Sequence, residues 1–273
     1  MTIKEIKISE LKEYSNNPRI NEAAIWKVAA SIDLRHGDCL EVMKSIPDKS
    51  VDLILCDLPY STTQNKWDKI IPFASLWEEY ERIIKNNGAV VLFAQSPFDK
   101  ALAMSNIKMF KYEWIWEKEQ GTGFLNSKKM PLKNHENILV FYKKQPTYNP
   151  QMRIGFKPYI CKKGNHGTNY GADKGAITIS DGTRFPLDVL RFTRDKERLH
   201  PTQKPVALLE YLVKTYTNEG DTVLDNCMGS GSTGVACVKT KRNFIGIELD
   251  GTYFEIAKNR IEQARKECMS ENL

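Results

Sequence analysis

The sequence predicts an α/β fold: a doubly wound, mainly parallel sheet with helices on both faces. Three observations predict it. Short apolar runs alternate with helical stretches along most of the chain. The runs SVDLILCD and AVVLFAQ are apolar on both faces, as strands covered from both sides must be. A glycine-containing loop, NCMGSGS, stands between the strand DTVLD and a helix, a ligand-binding arrangement in such sheets.

Taken in order, residues 1–32 are polar and mixed, with a turn at SNNPR and a helical stretch, NEAAIWKVAASI. LRHGD is a strand and turn, CLEVMKSI a helix, and SVDLILCD a buried strand ending at Asp57. IPFASLWEEYERIIKN is predicted as a helix closed by Gly88, and AVVLFAQ as the next buried strand. SPFDKALAMS begins a helix with Ser96 as N-cap and Pro97 in its first turn. YEWIWEK and ENILVFYKK are strands flanking a polar stretch. From Gln145 to Lys196 periodicity fades over a span too long for a simple connection, which points to a small functional module. KPVALLEYLVKTYT is a helix, DTVLD a strand, NCMGSGSTGVACVKT a loop entering a helix, NFIGIELD a strand and GTYFEIAKNRIEQARKE the last helix.

The 273 residues suffice for one large core, or one core with an appendage. No apolar run approaches the roughly 20 residues that span a bilayer, and MTIKEIKISELKEY has no signal-peptide core. A cytoplasmic protein without a membrane partner is expected. Six cysteines form no CxxC pair, and HENIL lacks the second histidine of HExxH, so no metal site is expected. The net charge of +6 is uneven. The segment Lys108–Thr168 carries twelve Lys or Arg against four acids, and aromatic residues are interleaved with them. Such a region suits a polyanion whose bases can stack; a solvated charged face is the plain alternative.

Gly229 and Gly231 allow backbone to approach a ligand, and the following helix turns N–H groups of the loop, Ser230 and Ser232 included, toward an anion. Glu248 ends a strand nineteen residues after Gly229, where an acid accepts hydrogen bonds from ribose hydroxyls. The loop is not a full GxGxxG, which favours S-adenosylmethionine over a dinucleotide. Asp225 would then pair with the cofactor's ammonium.

At the end of the first long apolar strand stands DLPY: Asp57, Leu58, Pro59 and Tyr60. In an open parallel sheet this is where a substrate lies. An aromatic amino nitrogen is a poor nucleophile because its lone pair is delocalised into the ring. Asp57 and the Leu58 carbonyl can accept its two hydrogens and stabilise the charge that develops during transfer. Tyr60 can stack on a base drawn out of a duplex, and Pro59 stiffens the turn. A turn with Tyr60 packed on the core is the bland reading of the same four residues.

These residues resemble the amino-methylating DNA methyltransferases, whose signature is [D/N/S]-[P/I/L]-P-[Y/F/W]. The resemblance covers about residues 33–267 and implies a seven-stranded Rossmann-like methyltransferase sheet. Asp in the first position looks like the adenine-N6 members; cytosine-N4 methylation is the alternative. The catalytic motif precedes the cofactor loop, as in the beta class, whose members are often homodimers. HPTQKP resembles the segment before the cofactor loop, which implies that Thr202 and Lys204 contact the cofactor. HGDCLEVM implies the same of Asp38 and Cys39, and Asp57 would reach it from the catalytic side. DNCMGSGS departs from the usual D-P-F-x-G-S-G, with Asn226 and Cys227 in place of Pro and Phe.

The resemblance divides the chain into catalytic residues 33–144, a target-recognition region over 145–198 and a cofactor-binding half over 199–273. Double-stranded DNA is the implied partner. The opening segment, ISELKEYSNNPRINEAAIWKVAASI, resembles the start of ParB-like nuclease domains and reads as a truncated remnant, an N-terminal arm over 1–32. Two further rivals are methylation of RNA or a protein amide, and a DNA-binding protein with a vestigial cofactor fold.

Overall fold

A computed structural model describes residues 30–60, 69–162, 177–196, 199 and 202–270. The expected arm and its helix lie outside the described residues up to position 29, as do His200 and Pro201 of HPTQKP. The main sheet contains β1 (Ile32–His36), β2 (Val51–Asp57), β3 (Ile84–Ala94), β4 (Phe110–Thr122), β5 (Lys133–Phe141), β8 (Val189–Arg191), β9 (Thr222–Asp225) and β10 (Asn243–Glu248). Their spatial order is β1-β10-β9-β2-β3-β5-β4-β8. The first five strands of that order are mutually parallel, and β5 runs antiparallel to both β3 and β4. A separate antiparallel pair, β6 (Tyr159–Lys162) and β7 (Ile177–Ser180), comes from the segment where periodicity fades.

Alternation along β2 explains the two layers of helices. Leu53 and Leu55 face one core, shared with α4 (Val206–Tyr216), α5 (Ser232–Lys239) and α6 (Gly251–Ser270). Ile54 and Cys56 face the other, shared with α1 (Cys39–Met43), α2 (Phe73–Ile83) and α3 (Phe98–Ser105). Successive side chains of a strand point to opposite faces, so a strand buried on both sides must be apolar throughout. Each fully buried aliphatic or aromatic side chain contributes about 1.5–3 kcal/mol of transfer free energy to this arrangement.

Three sequence expectations need correction. The sheet has eight strands rather than seven, because three residues from the 145–198 region add β8 beside β4. The second helix stops at Ile83, not at Gly88: Ile84 already pairs with Val51, and Ala89 pairs with Leu53, so β3 opens with a bulge. Gly88 sits inside that bulge, where a Cβ would fall 2.7 Å from the Asp52 carbonyl oxygen. Pairing and burial of Ile84 outweigh the helical period of IIKN. The third helix has Pro97, not Ser96, at its N-cap, without a side-chain capping bond.

Asp52 clamps the middle of the sheet. Both its oxygens accept from Lys85 Nζ at 2.8 Å, and Oδ2 also accepts from the Thr222 N–H at 3.0 Å, joining β2, β3 and β9. Because β2, β9 and β10 are parallel, Asp57, Asp225 and Glu248 all end at one edge of the sheet.

Candidate active site

That edge borders a cavity of about 390 Å³, within the range of small-molecule and cofactor pockets. Asp57, Leu58, Pro59 and Tyr60 line one side. Asp225, Asn226, Gly229, Ser230, Ser232 and Glu248 line another, and Asp38, Cys39, Thr202 and Lys204 complete the wall. The two motifs identified separately in the sequence therefore face one space. Gly231 is the one named site residue outside the lining. It precedes α5 with φ +78°, and a Cβ there would fall 2.9 Å from Ala257 Cβ, so this glycine permits close packing of α5 on α6.

Asp57 is the last residue of β2, paired in register with Phe93 of β3. Tyr60 donates its hydroxyl to Asp57 Oδ1, and its ring lies 5.0 Å from that of Phe98. Lys204 forms an ion pair with Asp57 Oδ2. Lys204 Nζ also stands 3.2 Å from Glu136 Oε2, near enough for attraction but not aligned as a hydrogen bond. Glu136 in turn pairs with Lys118 and accepts from Gln95 Nε2 at 3.1 Å. Charges thus alternate along Lys118, Glu136, Lys204 and Asp57, so each buried or half-buried ion has an opposite neighbour.

Burial pushes the Asp57 carboxyl above the usual range; Lys204 opposes this and Glu136 reinforces it. Burial would also raise Glu136, but the Lys204 and Lys118 ammoniums outweigh it and hold that carboxyl down to about 2. Burial alone would lower Lys204, yet Asp57 and Glu136 keep its ammonium above the ordinary value. Tyr60 is pushed well up, first by burial and then by Asp57, so it stays a hydroxyl donor.

On the other wall, burial raises Asp225 to about 6, although the Thr233 hydroxyl and the Cys227 N–H donate to it at 2.6 and 3.1 Å. Glu248, also raised by burial, accepts from the N–H groups of Gly229 and Asp250, each at 2.8 Å. These contacts shape the loop after β9 and leave each carboxylate further acceptor capacity. Asp38 caps α1 through the Leu40 N–H at 2.9 Å. Asn226 is turned toward α2, where its side-chain oxygen accepts from the Tyr80 hydroxyl at 2.6 Å. The Cys227 thiol beside it meets Cys39 and Cys56 within hydrogen-bonding reach, giving the cavity a small, soft floor in place of an aromatic ring.

Three residues join the site that no motif singles out. Arg260 of α6 donates to the Ser230 carbonyl at 2.6 Å and to the Ser230 hydroxyl at 3.0 Å, pinning the loop. Gln203 accepts from the Ser230 hydroxyl at 3.3 Å and joins the 202–205 segment to the same loop. Glu136 is visible in the sequence only as the second residue of HENILVFYKK. Its signal is an acid at the mouth of a strand whose next five residues are all buried.

The chemistry of this donor set fits S-adenosylmethionine. Raised, buried carboxylates suit an ammonium and ribose hydroxyls, and a tightly held glycine loop presents amides to a carboxylate. Comparison with known proteins agrees with that chemistry. A family model described as DNA methylase matches residues 51–259. The chain is 30% identical over 248 residues to the DNA adenine methyltransferase YhdJ of Escherichia coli (strain K12), covering 84% of this chain and 82% of that protein. It is 28% identical to the type II methyltransferase M.HpaI of Haemophilus parainfluenzae, covering 82% of this chain and 72% of that protein. Among solved structures it resembles an M1.HpyAVI–SAM complex with TM-score 0.57 and 27% identity, covering 84% of this chain and 99% of the other.

Proposed function

The chain belongs to the N6/N4 DNA methylase family, and from that premise we propose that it transfers a methyl group from S-adenosylmethionine to N6 of an adenine flipped out of double-stranded DNA. The observation that carries this reading is the shared cavity: Asp57 at the end of β2 and Asp225 and Glu248 at the ends of β9 and β10 all border it. Asp in the first motif position and a relative named for adenine methylation favour adenine over cytosine.

When bound, the cofactor supplies an electrophilic methyl group on a sulfonium. Asp225 pairs with the ammonium end, the N–H groups of the loop around Gly229 and Ser230 take the carboxylate, and Glu248 receives the ribose hydroxyls. Asp38, Cys39, Thr202 and Ser232 complete this side of the wall.

The target base enters beside Tyr60. Stacking on that ring returns about 1–3 kcal/mol toward the few kcal/mol that flipping costs. The Tyr60 hydroxyl gives up Asp57 Oδ1, which then accepts one amino hydrogen while the Leu58 carbonyl accepts the other. Both contacts strengthen as positive charge grows on the nitrogen. Asp57 is also placed to take the proton that the nitrogen sheds, and a carboxyl raised by burial is the better acceptor. Lys204 opposes the burial that raises Asp57 and so favours its ionised form before the base arrives; we therefore assign it to the catalytic carboxylate rather than to the cofactor alone. Holding nitrogen and methyl in line supplies up to about 7–11 kcal/mol through orientation.

Residues 33–144 act as the catalytic half, 199–273 as the cofactor half and 145–198 as the target-recognition region. In that region the Arg153 and Arg184 guanidiniums each lie 5.2 Å from the Phe156 ring, and Arg184 lies 4.5 Å from that of Tyr159. Flat cations stacked on aromatic rings suit phosphates and bases. Catalytic motif before cofactor loop is the beta-class order, and a homodimer working on DNA in a bacterial cytoplasm goes with it. Among the described residues no helix is long and apolar enough to cross a membrane.

The test is direct. DNA incubated with the protein and labelled S-adenosylmethionine is digested to nucleosides. N6-methyl-2′-deoxyadenosine is expected, and Asp57→Ala should abolish it while cofactor binding persists. N4-methylcytosine would shift the reading to the alternative base; label in RNA or protein but not DNA, or full activity of Asp57→Ala, would overturn it.

A further inference from the structure

We propose that Phe124 and Leu125, at the tip of the β4–β5 hairpin, form a wedge that enters the DNA duplex where the target base leaves it. The proposal rests on the methyltransferase reading above and deepens it by assigning a surface to the flipping step.

The hairpin rises from the rim that holds Asp57. Phe93 pairs with Asp57 on one side and with Ile138 on the other, so β5 crosses the level of the catalytic carboxylate there. From Ile138 back to Lys133 the strand runs on past that rim, and Thr122 of β4 still pairs with Lys133. Five residues of extended chain span about 17 Å, enough to carry the tip beyond the cavity mouth toward a bound duplex. Lys133 anchors the neck by donating to the Ser96 carbonyl at 3.1 Å.

The tip is a built feature. Gly123 turns with φ +91°, and Phe124–Asn126 forms a single 3-10 turn. The Asn126 and Ser127 N–H groups bond back to the Gly123 and Phe124 carbonyls at 2.9 and 3.0 Å, and Lys129 to Asn126 at 2.8 Å. At the neck Gly121 lets Leu132 approach so closely that a Cβ would stand 2.8 Å from Leu132 Cβ. This scaffold holds Phe124 79% and Leu125 99% exposed. Two large apolar side chains kept in water forgo the stabilisation that burial gives such groups, and contiguous exposed apolar surface marks a contact site.

The occupant is argued from charge and place. Lys128 and Lys129 are exposed on the same tip and Lys133 lies at its base, with no acid between Gly121 and Lys133. A cationic collar around an apolar apex fits phosphates surrounding a base step, and apolar side chains inserted between steps unstack them. A base swung out toward Tyr60 leaves a gap that Phe124 or Leu125 can fill, which lowers the cost of keeping it out.

The test compares the wild-type protein with a Phe124→Ala, Leu125→Ala double variant on two substrates. One is a duplex with its target adenine normally paired, the site having been mapped by sequencing DNA from expressing cells. The other opposes the same adenine to an abasic position. The variant should lose about 10- to 100-fold in kcat/KM on the paired duplex and little on the abasic-opposed one. With 2-aminopurine at the target, its fluorescence rise on binding should fall, at an unchanged thermal midpoint. Equal losses on both substrates, or no loss on either, would overturn the wedge while leaving the methyltransferase reading intact. Conversion of a dimer to a monomer by the double substitution would assign the tip to a second copy instead. A wild-type protein inactive on every DNA would sink both readings together.

Discussion

Asp57 and Lys204 stand 147 positions apart in the chain and share an ion pair at the rim of the sheet. Neither has the other as its sole charged neighbour, since Lys204 also faces Glu136. Replacing Lys204 by Met leaves the two carboxylates with Lys118, paired to Glu136, as their remaining ammonium. Burial and Glu136 then raise Asp57 with only the Tyr60 hydroxyl still opposing them, so the acid limb of the kcat–pH profile should move to higher pH. Breaking such a pair costs about 3–5 kcal/mol, read as a lower urea midpoint. Lys204→Arg should restore the acid limb. An unmoved limb in Lys204→Met would show that the ammonium does not govern Asp57.

Tyr60 combines a hydroxyl bond to Asp57 with a ring facing the cavity. Tyr60→Phe removes the first and keeps the second, so base capture should persist and kcat should change by less than about tenfold. Tyr60→Ala removes both and should cost about 1–3 kcal/mol of base stacking, seen as reduced 2-aminopurine fluorescence with near-normal duplex affinity. Equal effects of the two substitutions would contradict the stacking role.

Asp225 gives a pH signature of its own. Its carboxyl is raised from near 4 to about 6 in the folded chain. The stability this group contributes is therefore full below about pH 4 and is lost as pH rises through 6, by up to about 3 kcal/mol in the cofactor-free protein. An ammonium requires the ionised form, so cofactor affinity should strengthen over the same interval. Asp225→Asn should flatten both curves, measured by denaturant melts and calorimetric titration from about pH 4.5 to 7.5, the interval that brackets this titration. Persisting pH dependence in that variant would place the titration elsewhere.

The basic segment should act through phosphates. Replacing Lys128, Lys129 or Lys157 with Gln removes one cation from the exposed basic surface. For every phosphate that cation neutralises, the slope of log Kobs against log salt should fall by about 0.9. Weakening without a change in slope would mean that these side chains do not meet the backbone.

Much of this architecture is legible in the chain because burial on two faces leaves an unmistakable apolar run. SVDLILCD announces a central strand, and a parallel strand's carboxyl end is a ligand edge, so the place of Asp57 follows from the sequence. The loop after DTVLD is legible for the same reason. What escapes is pairing at a distance. Nothing near Lys204 in the sequence names Asp57 or Glu136 as its partners, and the family resemblance alone points it to the cofactor. Asn226 likewise bonds to Tyr80, 146 positions away. Local signals also mislead where tertiary pairing overrides them: IIKN carries on a helical period, yet Ile84 is held by Val51. The motif assigns Gly231 to the ligand, whereas the close approach of Ala257 on α6 explains why no side chain fits there.

The strand order has a consequence for synthesis on the ribosome. The neighbour of β1 is β10, and β2 is flanked by β3 and β9. β1 and β2 therefore wait for β9 and β10 before the sheet can close. Nascent chains stalled before Thr222 should expose β1 and one edge of β2 to protease and to chaperones, whereas chains released after Glu248 should not. Cooperative closure of this kind ties the appearance of a finished catalytic rim to completion of the cofactor loop, so a half-translated enzyme holds no assembled site with which to modify DNA.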